Sequence, residues 1–527
     1  MKIGSDVIKV YKDVHIWIGI VCGLMLFVAF YAGAVTMFEK PLERWATPPS
    51  ALAEAPPLED AEKLLEATVA AYPQAARHYS ILVTTTPDQP ARVIWAERGK
   101  RPRELIEYGA SVTSDGSLQV EKLRKAPVAQ LVDRMHQFVG LPLPDDVARV
   151  IMGAVALAYA VALLSGLIVL LPTLVRDVFA LRVGKNIKRM WLDAHNALGI
   201  VSLPFHLVIA LTSVVFAFHT PFYATQAKAL YGGQIDWGEH EPPPTGDKPL
   251  PATELLARAR AQLPGFEVFR FAFQQNRDGQ LEASLVGLDV RRGARGRTWM
   301  QTHLDPYTGV VDTHDLPGHM DGWGETVNAF FALHFGSYGG NPVRWLYVLM
   351  GLAGALLFYT GNLLWVESRR RKARGRDAVE QTRSARALAD LTVGVALGCV
   401  AGISATIAAA KWLPARVDDL AAWHEGIYYA VFFASVAWSF LRGAPRAACE
   451  LLWACAALTL LIPASSLAGA WGLGGAWNHA GAGIAVDITA LAAVPVLALI
   501  ARRTRRRMRH GHADSVWAQP AATAAGA

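Results

Sequence analysis

The pentapeptide HIWIG at residues 15–19 recurs as HNALG at residues 195–199, each at the head of a long apolar run. Moving outward from these, SGLIVL beginning at Ser165 is echoed by TGNLLW beginning at Thr360. RMHQFVG, which contains His136, stands before one apolar run, and FALHFGSYGG, which contains His334, stands before another. The chain therefore repeats a span-module-span unit, and a repeat of this size has to be recognised before any single element is assigned.

The apolar runs are transmembrane in character. Hydrophobic residues make up 53% of the 527 positions and the mean hydropathy is +0.25, too apolar for an ordinary soluble protein. Eight spans are expected, at Val14–Phe38, Val150–Val175, Leu198–Phe218, Val343–Val366, Leu388–Ala410, Ile427–Leu441, Leu451–Ala464 and Ile484–Ala501. The first is too long for a signal-peptide core and reads as an uncleaved anchor. Lys and Arg concentrate before the first span, between the second and third, and after the fourth, sixth and eighth. By the positive-inside rule these places are cytoplasmic, as are both termini, so the net charge of +7 is a topology signal rather than a nucleic-acid footprint.

Two long polar segments then fall on the outer side, about 40–145 and 220–340, and each has the pattern of a small α+β module. In the first, LEDAEKLLEATVAAYP reads as a helix, followed by strands in SILVTTT, ARVIWAE and LIEYGASVTSDGSLQV, with a turn at Asp115-Gly116. In the second, ATELLARARAQLPG precedes strands in VFRFAFQQ, LEASLVGLDV and TWMQTHLDPYTGVVD. The expected division is 1–39 (N-terminus and first span), 40–145 (first module), 146–219 (second and third spans), 220–340 (second module) and 341–370 (fourth span). A basic loop at 371–387, four extra spans at 388–501 and a basic tail at 502–527 complete the chain.

Two copies of a unit inserted in the same orientation are expected to pack about an axis along the membrane normal, so that equivalent residues face one another. His15 would meet His195 near the cytoplasmic face, and His136 would meet His334 near the outer face. Each pair offers the two axial imidazoles that six-coordinate porphyrin iron requires. Gly19 and Gly199, four residues after their histidines, would leave room for a flat macrocycle, and Gly140 repeats the spacing after His136. Lys12, Lys188, Arg189, Arg134 and Arg344 are candidate partners for propionates. There is no C-x-x-C-H motif, so the two expected haems are of b type, held by ligation and packing alone.

Other histidines are weaker candidates. His206 lies eleven residues beyond His195, about 16 Å along the same face of a straight helix, where it would supplement or replace a ligand, or be a hydrogen-bonded residue of the bundle. His219 reads as interfacial. His303, His314, His319 and Asp321 cluster without the spacing of a defined metal site. His424 and His479 have no convincing partner.

The histidine spans around modules ending in VTSDGSLQV and LDPYTGVVD resemble the PepSY-associated transmembrane family, which includes bacterial inner-membrane ferric-siderophore reductases. The resemblance covers about residues 10–370 and rests on His15, Gly19, His136, His195, Gly199, His334, Ser165-Gly166 and Thr360-Gly361, with Asp305 and Gly309 in the module. It implies a di-haem b core with periplasmic PepSY modules that reduces chelated Fe(III), making the chain an inner-membrane oxidoreductase of ferric-chelate reductase type. The acceptor would be a ferric siderophore or another periplasmic electron acceptor. The donor would be a cytoplasmic reductant or a quinol, because no dinucleotide fingerprint follows a strand. The alternative is a non-catalytic PepSY sensor that binds a periplasmic peptide or protein. A transporter should instead show broken helices in matched positions.

Overall fold

The computed structural model describes residues 4–86, 89–98, 105–174, 187–231, 248–276, 279–289, 300–314, 316–369, 371–372, 379–414, 416–473, 477, 483–511 and 515–519. The side chains of residues 219–224 and 226–231, His219 among them, lie outside this description, as do His479 and the loop cations Arg176, Arg182 and Lys185. The chain divides into two compact units: Met1–Thr47, Ala126–Thr220 and Trp345–Ala527 form one, and Pro48–Lys125 with Pro221–Arg344 form the other.

The first unit is helical. Its first copy of the repeat contains α1 (Ser5–Thr36), α2 (Glu39–Ala46), α4 (Val128–Phe138) and α5 (Asp145–Leu170). The intervening helix, α3 (Ala61–Ala71), belongs to the second unit. The second copy contains α6 (Ile187–Val201), α7 (Leu203–Tyr231) and the long α10 (Gly340–Ser368). The C-terminal part adds α11 (Arg383–Ala410), α12 (Leu420–Arg442), α13 (Ala444–Ala470) and α14 (Ile484–His510). Between α7 and α10 in sequence stand α8 (Ala252–Gln262) and α9 (Gly322–Phe335), both in the second unit.

Among the described residues six helices are long and apolar enough to cross a membrane, and the pair α6 and α7 counts as a seventh span broken by a 69° bend. Bare apolar faces support this: Val150, Leu157 and Leu164 on α5, Leu346, Leu349 and Leu356 on α10, and Ile488, Leu491 and Val496 on α14 are exposed. Such faces are stable where lipid covers them. The expected count of eight is not reached, because α12, which covers Ile427–Leu441, is not among the helices apolar enough to span. Its sequence LAAWHEGIYYAVFFASVAWSFLR mixes Trp, Tyr, Ser and an ion-paired Glu into the run.

The bend also corrects the placement of His206. Pro204 has no N–H to offer the Ile200 carbonyl, and a helix missing that bond kinks. Ser202 softens the break by donating its hydroxyl back to the Leu198 carbonyl at 2.5 Å. His195 and His206 are therefore not three turns apart on one straight face; each stands on its own segment.

The second unit is built, among the described residues, on one antiparallel sheet of seven strands. These are β1 (His78–Leu82), β2 (Val93–Arg98), β3 (Leu105–Val112), β4 (Leu118–Lys122), β5 (Phe266–Gln275), β6 (Leu281–Asp289) and β7 (Met300–Leu304). Their order is β4-β3-β2-β1-β5-β6-β7. The two segments expected as separate modules thus share a sheet, joined where β1 runs antiparallel to β5 with Ser80 opposite Ala272. Joining them removes an edge strand from each. Alternating side chains bury Phe266 and Val268, and then Phe271 and Phe273, because a bulge between Val268 and Arg270 shifts the register by one. Leu64 of α3 and Leu255 of α8 fill the same core as Trp95, Phe271 and Leu285.

The residues Asp305 and Gly309 are explained by turn chemistry. Asp305 accepts from the backbone N–H groups of Tyr307 (2.8 Å) and Thr308 (3.2 Å) and from the Thr308 hydroxyl (2.7 Å). Partial burial opposes ionisation of Asp305, but these hydrogen bonds outweigh it and hold the carboxyl below its ordinary value. Gly309 has φ +68°, a left-handed conformation that a side chain would strain. The first segment turns in the same way at Gly116, φ +83°.

A buried polar cluster ties the C-terminal helices to α2. The indole N–H of Trp45 donates to Ser466 and Asp487, both at 3.0 Å. Lys411 donates to Ser466 at 2.8 Å and lies over the Trp45 ring, 4.2 Å from its centroid. Ser466 in turn donates to Asp487 at 3.0 Å.

Candidate functional site

His15 on α1 and His195 on α6 come together as the repeat requires. Their ring centroids are 6.1 Å apart and the ring planes make an angle of 70°. A first-row metal binds an imidazole nitrogen at about 2 Å, so two imidazoles on opposite sides of one metal have centroids roughly 6 Å apart once ring size is added. The observed separation fits that arrangement.

The hydrogen bonds fix which nitrogen is free. His15 Nδ1 lies 2.8 Å from the Ala162 carbonyl oxygen on α5, and His195 Nδ1 lies 3.1 Å from the Leu357 carbonyl oxygen on α10. A carbonyl only accepts, so Nδ1 carries the proton in both rings and a neutral imidazole keeps its lone pair on Nε2. Ligation with a carbonyl behind the ring is the arrangement found at histidine metal sites. The donor chemistry therefore suits a bis-imidazole centre.

Each ring lies against a glycine one turn beyond its carbonyl. A Cβ on Gly166 would stand 2.8 Å from His15 Cε1 and 2.9 Å from Nδ1; one on Gly361 would stand 3.4 Å from His195 Cε1. The two carbonyls also accept a side-chain hydroxyl, from Ser165 and from Thr360, each at 3.0 Å. The dipeptides Ser165-Gly166 and Thr360-Gly361 are thus the backs of two equivalent seats.

His136 on α4 has a third seat of this design. Its Nδ1 donates to the Ala29 carbonyl of α1 at 2.8 Å, and a Cβ on Gly33 would come 2.8 Å from that nitrogen. The residues Ala29 and His15 are about 21 Å apart along α1, so the two seats on this half of the bundle are well separated. His334 sits near the end of α9 in the second unit, beside Phe335 at 5.6 Å between centroids. Gly33 is not among the residues that the sequence reading singles out, although a glycine four residues beyond a carbonyl acceptor is the common element; the carbonyls themselves carry no sequence signal.

Several expected neighbours have other roles. A Cβ on Gly19 would meet nothing within 4 Å, whereas one on Gly199 would touch Leu357 at an ordinary 3.6 Å. Gly140 does not repeat that spacing on a helix, because α4 ends at Phe138 and Gly140 (φ +67°) turns the chain. Gly336, Gly339 and Gly340 are likewise left-handed turn residues. Arg134 is paired with Asp145 at 3.0 Å and with Glu425, and Arg189 with Asp193 at 3.2 Å, so these two cations are already partnered by carboxylates.

His206 is fully buried, with Nδ1 2.6 Å from the Tyr159 hydroxyl and rings of Phe30, Phe205 and Phe358 around it. A Cβ on Gly354 would collide with Phe30 and stand 3.0 Å from His206. The His206 Nε2 is buried without a hydrogen-bond partner. His424 is buried with neither ring nitrogen hydrogen-bonded. His303 lies in β7, His314 and His319 are exposed, and Asp321 caps α9 by accepting from Gly324 N–H at 2.6 Å. No group of three or more His, Cys, Asp or Glu side chains forms a metal site among the described residues.

No curated protein matches the chain, but the family model described as the PepSY-associated TM region matches residues 13–368, from the first histidine helix to the end of α10. With the three histidine seats inside that stretch and a multi-pass helical bundle around them, the chain belongs to the PepSY-associated transmembrane family.

Proposed function

We propose that this protein is a transmembrane oxidoreductase that passes electrons through b-type haem to an acceptor outside the cytoplasmic membrane. The observation that carries the proposal is the His15–His195 pair, 6.1 Å between centroids with both Nδ1 atoms committed to carbonyls. Bound between the two Nε2 atoms, a b-type haem supplies a one-electron couple, which the protein tunes by ligation, hydrogen bonding and burial. His15 and His195 would hold it through Nε2, and the Ala162 and Leu357 carbonyls keep the rings in the tautomer that leaves that nitrogen free. His136, held in the same tautomer by Ala29, would be a ligand of a second haem; the repeat names His334 as the other candidate ligand.

The substrate is proposed as chelated Fe(III), such as a ferric siderophore. One electron converts it to Fe(II), which hard oxygen ligands bind less tightly, so iron is released. The donor is proposed as a cytoplasmic reductant or a membrane quinol. This choice of acceptor rests on family analogy.

The test is a dithionite-reduced minus oxidised absorption spectrum of the purified full chain, with haem counted per polypeptide and His15, His195, His136 and His334 replaced singly. Sharp b-type bands lost with His15→Ala and with His195→Ala support the proposal. A colourless protein refutes it and favours a sensor that binds a periplasmic peptide or protein.

A further inference from the structure

The carbonyls behind the three seated histidines carry unequal loads. In a helix the carbonyl of residue i accepts from the N–H of residue i+4, so Ala162, Leu357 and Ala29 are each engaged by the glycine one turn on: Gly166, Gly361 and Gly33. The histidine N–H is a second donor in all three cases. At Ala162 the Ser165 hydroxyl is a third, at 3.0 Å, and at Leu357 the Thr360 hydroxyl is a third, also at 3.0 Å. The corresponding position on α1 is Ala32, which has no hydroxyl. Ser165 and Thr360 are buried, so these bonds face little competition from solvent.

A carbonyl oxygen has two lone pairs, and a third donor weakens what the other two receive. The imidazole Nδ1–H then keeps more of its proton, and the ring gives less electron density to a metal on Nε2. Weaker donation stabilises the oxidised metal less and raises the midpoint potential. Building on the haem reading above, we propose that Ser165 and Thr360 are positioning residues that raise the reduction potential of the centre held by His15 and His195. Ala32, at the corresponding place behind His136, supplies no such hydroxyl.

The experiment is a spectroelectrochemical titration of the purified, haem-loaded full chain, comparing Ser165→Ala, Thr360→Val and their combination. Thr360 Oγ1 also lies 3.4 Å from His195 Nδ1, so Ser165→Ala is the cleaner variant. The expected result is a negative shift of the midpoint assigned to the His15–His195 haem. The double variant should show up to about a tenfold change in its redox equilibrium, about 59 mV for one electron. Ser165→Thr and Thr360→Ser, which keep a hydroxyl, should stay near the wild-type value, and the His136 centre should not move. A fully loaded double variant with unchanged or more positive midpoints overturns this inference and leaves the haem assignment standing. A protein without haem overturns both.

Discussion

In the first copy of the repeat, His15 stands on an unbroken 32-residue helix and presses on Gly166, where an added Cβ would come within 2.8 Å. In the second copy, His195 stands on a 15-residue segment ahead of a 69° bend, and the corresponding distance at Gly361 is 3.4 Å. The helix that bears the histidine differs between the copies, but the wall behind the ring is the same: carbonyl, hydroxyl and glycine spaced over one turn. The seat is therefore defined by the receiving helix, and the bearing helix is free to bend.

The likeness of the two seats is tested most severely at the imidazoles. His15→Ala and His195→Ala should each abolish the absorption bands of the shared haem, read as haem per chain after purification. Equal losses are expected because one metal needs both nitrogens; survival of the bands in either variant would refute the pairing.

The glycines should give a graded response. Gly166→Ala places a methyl group inside contact distance of His15 and should strongly reduce haem retention, whereas Gly361→Ala requires a shift of only a few tenths of an ångström at His195 and should cost less. Gly33→Ala should act on His136 as severely as Gly166→Ala does on His15. Gly19→Ala, facing open space within the chain, has no protein atom to displace; loss of haem there would locate the macrocycle beside it. Equal effects of Gly166→Ala and Gly361→Ala would show that the two seats do not differ in tightness.

His206→Phe should leave the spectrum intact and lower thermal stability. The Tyr159 hydroxyl would lose its 2.6 Å partner, a loss of about 1 kcal/mol, because the His206 backbone carbonyl at 3.2 Å remains as an acceptor. Loss of a haem band on this substitution would instead make His206 a ligand.

The repeat makes the His15–His195 pair legible from the amino-acid order alone, since equivalent positions in parallel copies must face one another. The strands are legible too, from alternation in VFRFAFQQ and from the Asp115-Gly116 turn. The seats are not, because a backbone carbonyl leaves no residue-type signal; only Ser165-Gly166 and Thr360-Gly361 hint at them. Pro204 inside the third apolar run is a readable cause of the bend, but a span drawn from apolarity alone passes over it. The lone Lys411 in AAAKW is a further signal of the same kind: a cation at the end of an apolar helix needs a partner, here Ser466 and the Trp45 ring. Nothing local announces that β1 and β5 pair, since strand partners far apart in sequence are chosen by packing.

That pairing sets an order of events during synthesis. The strand at residues 78–82 leaves the ribosome long before its neighbour at residues 266–275, so the nascent first half has an uncapped hydrogen-bonding edge while later helices are still being inserted. A polypeptide stopped before residue 266 would keep that edge permanently, and chaperone dependence or self-association of such fragments is the expected burden of building one sheet from two distant halves.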